Sequence, residues 1–269
     1  QDLARRLEDA LADENLTSLR ARMEEVRAEA DAKPAIYRMS YSPPGPRNTD
    51  EVVLRQDIFL QEMDQILAAH TVKRAQHYIA RMHKGIMEVH TSDLNDINLN
   101  RWKAYESIRT DSLWVIDRRD TSGAHEAWYW GNFIPEIPRQ MMLRYTQAGD
   151  WVLDPFVGSG TTLIECRRLG RHGLGVELNA RVAERARERL GQEPNPHRVI
   201  TEIEVGDSRR VDYEALLAVR GIDQVQLLMM HPPYHDIIPF SDSDRDLSNA
   251  PSVDAFVDMI SDVVHRTYG

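Results

Sequence analysis

"WVLDPFVGSGTTLIE", Trp151 to Glu165, decides the fold. Its first residues form an apolar run ending in an acid, Asp154, as a buried strand would. From Thr161 the pattern turns helical and closes at Gly170. Between strand and helix lies a loop with Gly158 and Gly160, which permit a tight turn and close approach of backbone to a ligand. The loop lacks the Gly-Lys-Ser/Thr ending of a phosphate-gripping P-loop. Leu163 stands where the dinucleotide fingerprint places its last glycine. The acid at the strand end would repel a pyrophosphate and welcome a cationic or amine-bearing ligand.

Outward from this stretch, strand and helix patterns alternate. "HGLGVEL" (172–178) reads as the next strand and "ARVAERARERLG" (180–191) as a helix with charges on its wet face. "TEIEVGD" (201–207) and "QVQLLMMHPPY" (224–234) read as further strands, and "SVDAFVDMISDVVHRTY" (252–268) as a helix. This alternation marks an α/β fold, a parallel sheet covered by helices on both faces. Ligands in such sheets sit at the carboxyl ends of the strands.

The residues before this region have another character. Residues 2–32 carry Leu3, Leu7, Leu11, Leu16, Leu19 and Met23 at helical spacing in a charged context. "SYSPPGPRNTD" (40–50) is a Pro-rich linker or ordered loop. Residues 51–90 read as helical again, and "DSLWVID" (111–117) as a short strand. The chain therefore divides into a mostly helical N-terminal region, 1–110, and an α/β domain, 111–269. The net charge of −10 disfavours broad electrostatic binding to nucleic acid but leaves room for a local basic surface. No apolar run is long enough for a membrane span, so no membrane is expected. One cysteine, Cys166, excludes a disulfide framework, and a cytoplasmic location follows as the default. The histidines His70, His77, His83 and His90 lack ligand spacing, and no metal is expected.

Three acids fall at successive strand ends. After Asp154 comes Glu177, suited to the hydroxyls of a ribose, followed by Leu178 and Asn179. Asp207 ends the third strand in "GDS", before Ser208, where a carboxylate can accept from an adenine amino group. S-adenosyl-L-methionine carries an ammonium and a sulfonium, and the charge pattern favours it as cofactor over a nucleotide. The fourth strand ends in "HPPY", His231, Pro232, Pro233 and Tyr234. Two prolines fix the backbone there, and Tyr234 offers a face on which an extruded base could stack.

"DPFVGSGTT", "GVELN", "GDS" and "HPPY" resemble motifs I, II, III and IV of the amino-methylating DNA methyltransferases, which act on N6 of adenine or N4 of cytosine. "GNFIPEIPRQM" is similar to the family's motif X. The resemblance covers roughly residues 111–269. It implies a Rossmann-like class I S-adenosyl-L-methionine-dependent methyltransferase sheet, DNA as partner, and a flipped target base. By position it assigns Asp154, Pro155, Phe156, Gly158, Ser159, Gly160, Thr161 and Thr162, helped by Phe133, Ile134 and Pro135, to the methionine end of the cofactor. Glu177, Leu178 and Asn179 go to the ribose, and Asp207 and Ser208 to the adenine. His231, Pro232, Pro233 and Tyr234 go to the target base.

The match departs from the family at His231, where Asp, Asn or Ser is usual. A neutral imidazole accepts one hydrogen bond but must lose its proton to do so. The family's sheet has seven strands, whereas this chain offers four after residue 150. A partner subunit, a missing C-terminal part or the N-terminal region is expected to complete or cover the sheet. Two rival readings remain open. One is an RNA methyltransferase acting on guanine N2, which would call for a basic, strand-rich module rather than an acidic helical one. The other is a non-catalytic subunit of the same fold in a larger complex.

Overall fold

The computed structural model describes residues 2–32, 36–40, 51–88, 90–100, 105, 108–109 and 111–268, with backbone alone at 36–40 and 51–55. The Pro-rich stretch at 41–50 lies outside the described residues. The chain forms two compact units. The first holds residues 1–93 and 97–107, and the second holds 94–96 and 108–269.

The first unit contains α1 (Asp2–Leu11), α2 (Leu16–Asp31), β1 (Ile36–Ser40), β2 (Glu51–Arg55), α3 (Gln56–Leu67) and α4 (Val72–Met87). Its core gathers Leu7, Leu19, Met23, Met63, Ile66 and Ile79, all fully buried. The single helix expected over 2–32 is two helices. Asn15 breaks it, because its side chain accepts from Thr17 N at 2.8 Å and Ser18 N at 3.3 Å and so starts α2 afresh. Residues 51–55, expected to be helical, form a strand instead. They pair antiparallel with β1, Ile36 opposite Arg55, a long-range partnership that local periodicity does not carry.

The second unit contains α5 (Glu136–Tyr145), β3 (Trp151–Asp154), α6 (Thr161–Leu169), β4 (His172–Glu177), α7 (Ala180–Gln192), β5 (Thr201–Val205), α8 (Tyr213–Ala218), β6 (Leu227–Leu228) and α9 (Val253–Thr267). Its four strands run parallel in the order β5-β4-β3-β6. Side chains alternate across the sheet. Val152 joins Leu163, Ile164, Ala183 and Ala186 under α6 and α7. Trp151, Leu153, Leu174 and Val176 meet Tyr213 and Leu217 of α8 on the other face. The chain order reverses between β3 and β6, and this switch point is where an open parallel sheet leaves a crevice.

Two strand expectations need correction. "DSLWVID" is not a strand: Leu113 and Val115 are exposed, and the carbonyl of Val115 accepts from the Arg109 guanidinium rather than from a ladder. The strand at 224–234 shrinks to Leu227–Leu228. Met229 N still donates to Leu153 O at 2.8 Å, but Pro232 and Pro233 have no N–H to continue the ladder. No helix among the described residues is long and apolar enough to cross a membrane.

The loop after β3 lies directly on β4. Val157 N donates to Val176 O at 3.1 Å, and a Cβ at Gly175 would meet Val157 Cγ2 at 2.6 Å and Cβ at 2.7 Å. Only glycine lets the loop come this close. Gly175→Ala is therefore expected to destabilise the second unit by about 1–3 kcal/mol, as overpacking of a tight contact does. Urea unfolding followed by the fluorescence of Trp114, Trp128, Trp130 and Trp151, all in this unit, measures the loss.

Candidate active site

Four loops leave the carboxyl ends of β3, β4, β5 and β6, and together they line one open cleft of about 920 Å³. The walls are completed by Tyr129 to Phe133 before α5 and by Phe240 to Leu247 beyond "HPPY". Gly158 has φ +48°, and a Cβ there would lie 2.9 Å from the Tyr129 ring, so conformation and space both require glycine.

Most of the residues chosen from sequence line this cleft. Ile134, Pro135, Asp154, Gly160 and Thr162 do not. Pro135 and Gly160 are the N-cap residues of α5 and α6, and Ile134 O accepts from Ile137 N in the first turn of α5. Asp154 is 1% exposed and turned inward. Its Oδ1 accepts from Phe156 N at 3.0 Å and its Oδ2 from Thr162 Oγ1 at 2.5 Å. Burial pushes its pKa up to about 6, against the pull of those two hydrogen bonds. Against the expectation that it meets a cationic ligand, Asp154 lies outside the cleft lining and holds the shape of the loop.

Glu177 lines the cleft, as do Asp207 and Asp246. Its Oε1 accepts from Asn179 N at 2.8 Å. Burial, and secondarily the negative charges of Asp246 and Asp154, push its pKa up to about 7, while backbone donors of Asn179 and Gly158 pull the other way. Asn179 also caps α7 through Arg181 N at 3.0 Å. Asp207 is gripped by a fork from Arg209, Nε to Oδ1 at 3.2 Å and Nη2 to Oδ2 at 3.0 Å. Oδ1 also accepts from Arg209 N at 3.0 Å, so Oδ2 is the oxygen that keeps a lone pair for a ligand donor. Ser208 Oγ donates to Pro155 O and ties the first and third loops together.

At the other end, Phe133, His231 and Tyr234 form an aromatic corner. The Phe133 and His231 rings are 5.1 Å apart, and those of His231 and Tyr234 are 5.8 Å apart and nearly perpendicular. His231 Nε2 lies 3.2 Å from Tyr234 Oη. Burial lowers the His231 pKa, which keeps the imidazole neutral and able to accept. Tyr234 is 56% exposed, with a face open to a partner.

Sequence reasoning passed over Tyr129, Phe240, Asp246 and Arg209. Tyr129 and Phe240 pack at 5.6 Å and close the cleft over Gly158. Burial raises the Tyr129 pKa, with Glu177 and Asp246 adding to it. Asp246 is buried, held by Ser241 Oγ at 2.8 Å and by Ser248 N at 3.0 Å and Oγ at 2.7 Å. Nothing in "SDSDRD" separates it from Asp242 and Asp244. The aromatic run "AWYWGNF" was the one available signal for Tyr129. Away from the cleft, Asp120, His125 and Glu165 come within 4.8 Å of one another. Guanidiniums already occupy this cluster, Arg168 against Asp120 at 2.8 Å and Arg139 against Glu165 at 3.3 Å.

The raised carboxyl of Glu177 has a consequence for stability. A pKa above the unfolded value means that the native state holds the extra proton between about pH 4.5 and 7. Stability is then full below that window and falls as pH rises through it. Melting temperature followed across the window is expected to decline, and Glu177→Gln is expected to flatten the decline. An unchanged slope in the variant would remove Glu177 as its source.

The model of the DNA methylase family, the N6/N4 type, matches residues 47–188 of this chain. Type II methyltransferase M.XycI of Xanthomonas campestris pv. cyanopsidis is 38% identical over 89 residues, 33% of this chain and 28% of that protein. Type II methyltransferase M.HpaI of Haemophilus parainfluenzae is 48% identical over 56 residues, 21% of this chain and 18% of that protein. A tRNA (guanine(10)-N2)-dimethyltransferase of Methanothermobacter thermautotrophicus is 34% identical over 108 residues, 40% of this chain and 29% of that protein. The chain thus spans under a third of the length of each of these relatives. With the family model covering more than half of it, this chain belongs to the N6/N4 DNA methylase family.

Proposed function

We propose that the cleft binds S-adenosyl-L-methionine beside a flipped DNA base, and that the protein is a site-specific DNA methyltransferase acting on the exocyclic amine of adenine N6 or cytosine N4. One observation carries this reading: the glycine loop, Glu177, Asp207 and "HPPY" line a single cleft at the switch point of the sheet. The donor set fits the cofactor. Glu177 and Asp246 are buried at the cleft with no cation paired to either among the described residues, so hydroxyl donors or a positive charge are favoured there.

When bound, the cofactor supplies an electrophilic methyl group. Pro155, Phe156, Gly158, Ser159 and Thr161, with Phe133, would surround its methionine end. Glu177, with Leu178 and Asn179, would accept from the ribose, and Asp207, beside Ser208, from the adenine amino group. Asp154, Gly160, Thr162, Ile134 and Pro135 would act through the shape of the backbone. At the other end, Pro232 and Pro233 hold the chain rigid and Tyr234 offers a stacking face. The neutral His231 imidazole would accept from the target amine and shift its lone pair toward the methyl group. Catalysis by these residues is positioning and electrostatics, without a covalent enzyme intermediate. The buried Cys166, its thiol pKa pushed up by burial, takes no part. Among the described residues β6 is paired on one side only, and further strands, from a partner or from a longer chain, would add at that edge.

The test is transfer of labelled methyl from the cofactor to duplex DNA and to RNA, with the product nucleoside identified by mass. Methyl-adenine or N4-methylcytosine from DNA is expected. Label in RNA alone overturns the reading, and label in neither points to a non-catalytic subunit. Tyr234→Ala should lower kcat/KM by roughly 5- to 150-fold, the worth of ~1–3 kcal/mol of base stacking, and leave cofactor affinity unchanged. Glu177→Ala should weaken cofactor binding, read by calorimetry, by about 10- to 150-fold, as loss of a ~1.5–3 kcal/mol charged hydrogen bond would.

A further inference from the structure

Helix α4, "VKRAQHYIARMHKGIM", contains Lys73, Arg74, Arg81 and Lys84 with two histidines and no acid. Its neighbour α3 is the reverse, with Asp57, Glu62 and Asp64 and no Lys or Arg. On α1 and α2 both signs are mixed. The segregation in α4 is notable in a chain of net charge −10.

The cations share one side of the helix. Ala75, Ile79, Met82 and Ile86 are buried in the core, whereas Lys73, Arg74, His77, Arg81 and Lys84 are exposed. At 3.6 residues per turn these five fall within a sector of about 100°, and at 1.5 Å per residue the stripe is about 16 Å long. Two of its guanidiniums are held in place. Tyr78 lies under both, with Arg74 at 4.8 Å and Arg81 at 5.4 Å from its ring centroid. Arg74 Nε also donates to Tyr78 Oη at 2.9 Å.

Local stability does not explain the stripe. Lys73 and Arg74 lie in the first turn after the Thr71 cap, where the helix dipole disfavours cations. Lys73 has no ion-pair or hydrogen-bond partner among the described residues. Among the described residues Lys84 pairs with Glu88 alone, at 3.6 Å and well exposed, and Arg81 meets Glu62 at 3.7 Å and Gln65 at 3.0 Å. Exposed pairs of this kind are worth ~0–1 kcal/mol. A face built for solubility alone would mix signs.

We infer that the exposed face of α4 is a contact surface for the phosphodiester backbone of duplex DNA. This rests on the proposed function, which supplies the duplex as partner; the charge complementarity is the protein's own. A duplex carries one negative charge per ~1.7 Å of its axis, so a stripe of this length faces several phosphates at once. Such contacts read no bases; they add affinity and help to set the protein's position on the duplex.

The experiment measures affinity of the full chain for duplexes of unrelated sequence as salt is raised, by fluorescence anisotropy. The variant carries Lys73→Gln, Arg74→Gln, Arg81→Gln and Lys84→Gln together. Its slope of log affinity against log salt is expected to shrink by about 3–4, close to one per cation removed, and equally on every sequence. Lys73→Gln with Lys84→Gln alone, which spares the Tyr78 contacts, should shrink it by about 2. Cofactor affinity by calorimetry should not change in either variant. A wild type that binds and methylates duplex DNA, beside variants of unchanged slope, overturns the surface alone. A wild type that binds the cofactor but no duplex at low salt sinks the proposed function and the surface together.

Discussion

The candidate site depends on one buried carboxylate. Asp154 ends the central strand β3, is almost wholly removed from water, and has no ion-pair partner among the described residues. Its two oxygens are satisfied instead by Phe156 N at the start of the loop and Thr162 Oγ1 in the first turn of α6. One side chain thus ties strand, loop and helix into a single turn. The backbone of Phe156 to Ser159 is forced outward to the cleft, Val157 lies down on β4, and Tyr129 packs over Gly158. Such a group persists only because both hydrogen bonds are made: an unsatisfied buried acid would cost more than the fold gains.

The same low-dielectric setting shapes the cleft. Glu177 and Asp246 are both buried at its wall, and the charge of Asp246 makes Glu177 harder to ionise. Asp207, by contrast, has Arg209 as an ion-pair partner. The cleft therefore pairs one compensated acid with an uncompensated end, which suits a ligand with amino groups at one place and hydroxyls or positive charge at another. The aromatic corner of Phe133, His231 and Tyr234 at the far end is nearly free of charge. The asymmetry separates a polar end of the cleft from a flat aromatic end.

Much of this was legible in the chain. "WVLD" and "HGLGVE" announce themselves because both faces of a central parallel strand are buried, which leaves near-continuous apolar or small residues, whereas "TEIEV", at the sheet edge, shows as polar and apolar residues in alternation. The glycine loop, Glu177, Asp207 and "HPPY" could be found because chemistry at strand ends needs particular residue types at set places. Arg209 was invisible, because nothing in "GDSRR" says which arginine folds back onto Asp207. "DSLWVID" misled because an exposed apolar run looks the same as a buried strand until its neighbours are known.

The amino-acid sequence by itself determined the alternation of strands and helices, the tight turn at Gly158, the acids at the strand tips and the rigid Pro-Pro step, because each follows from local backbone and side-chain chemistry. Only the tertiary structure decided that Asp154 faces inward, that Asp246 rather than Asp242 or Asp244 enters the cleft, and that residues 51–55 pair as a strand. Those outcomes depend on burial and on partners distant in the chain. The free energy of a carboxylate, an aromatic ring or an unpaired strand is set by what surrounds it, and that is known only once the chain has folded.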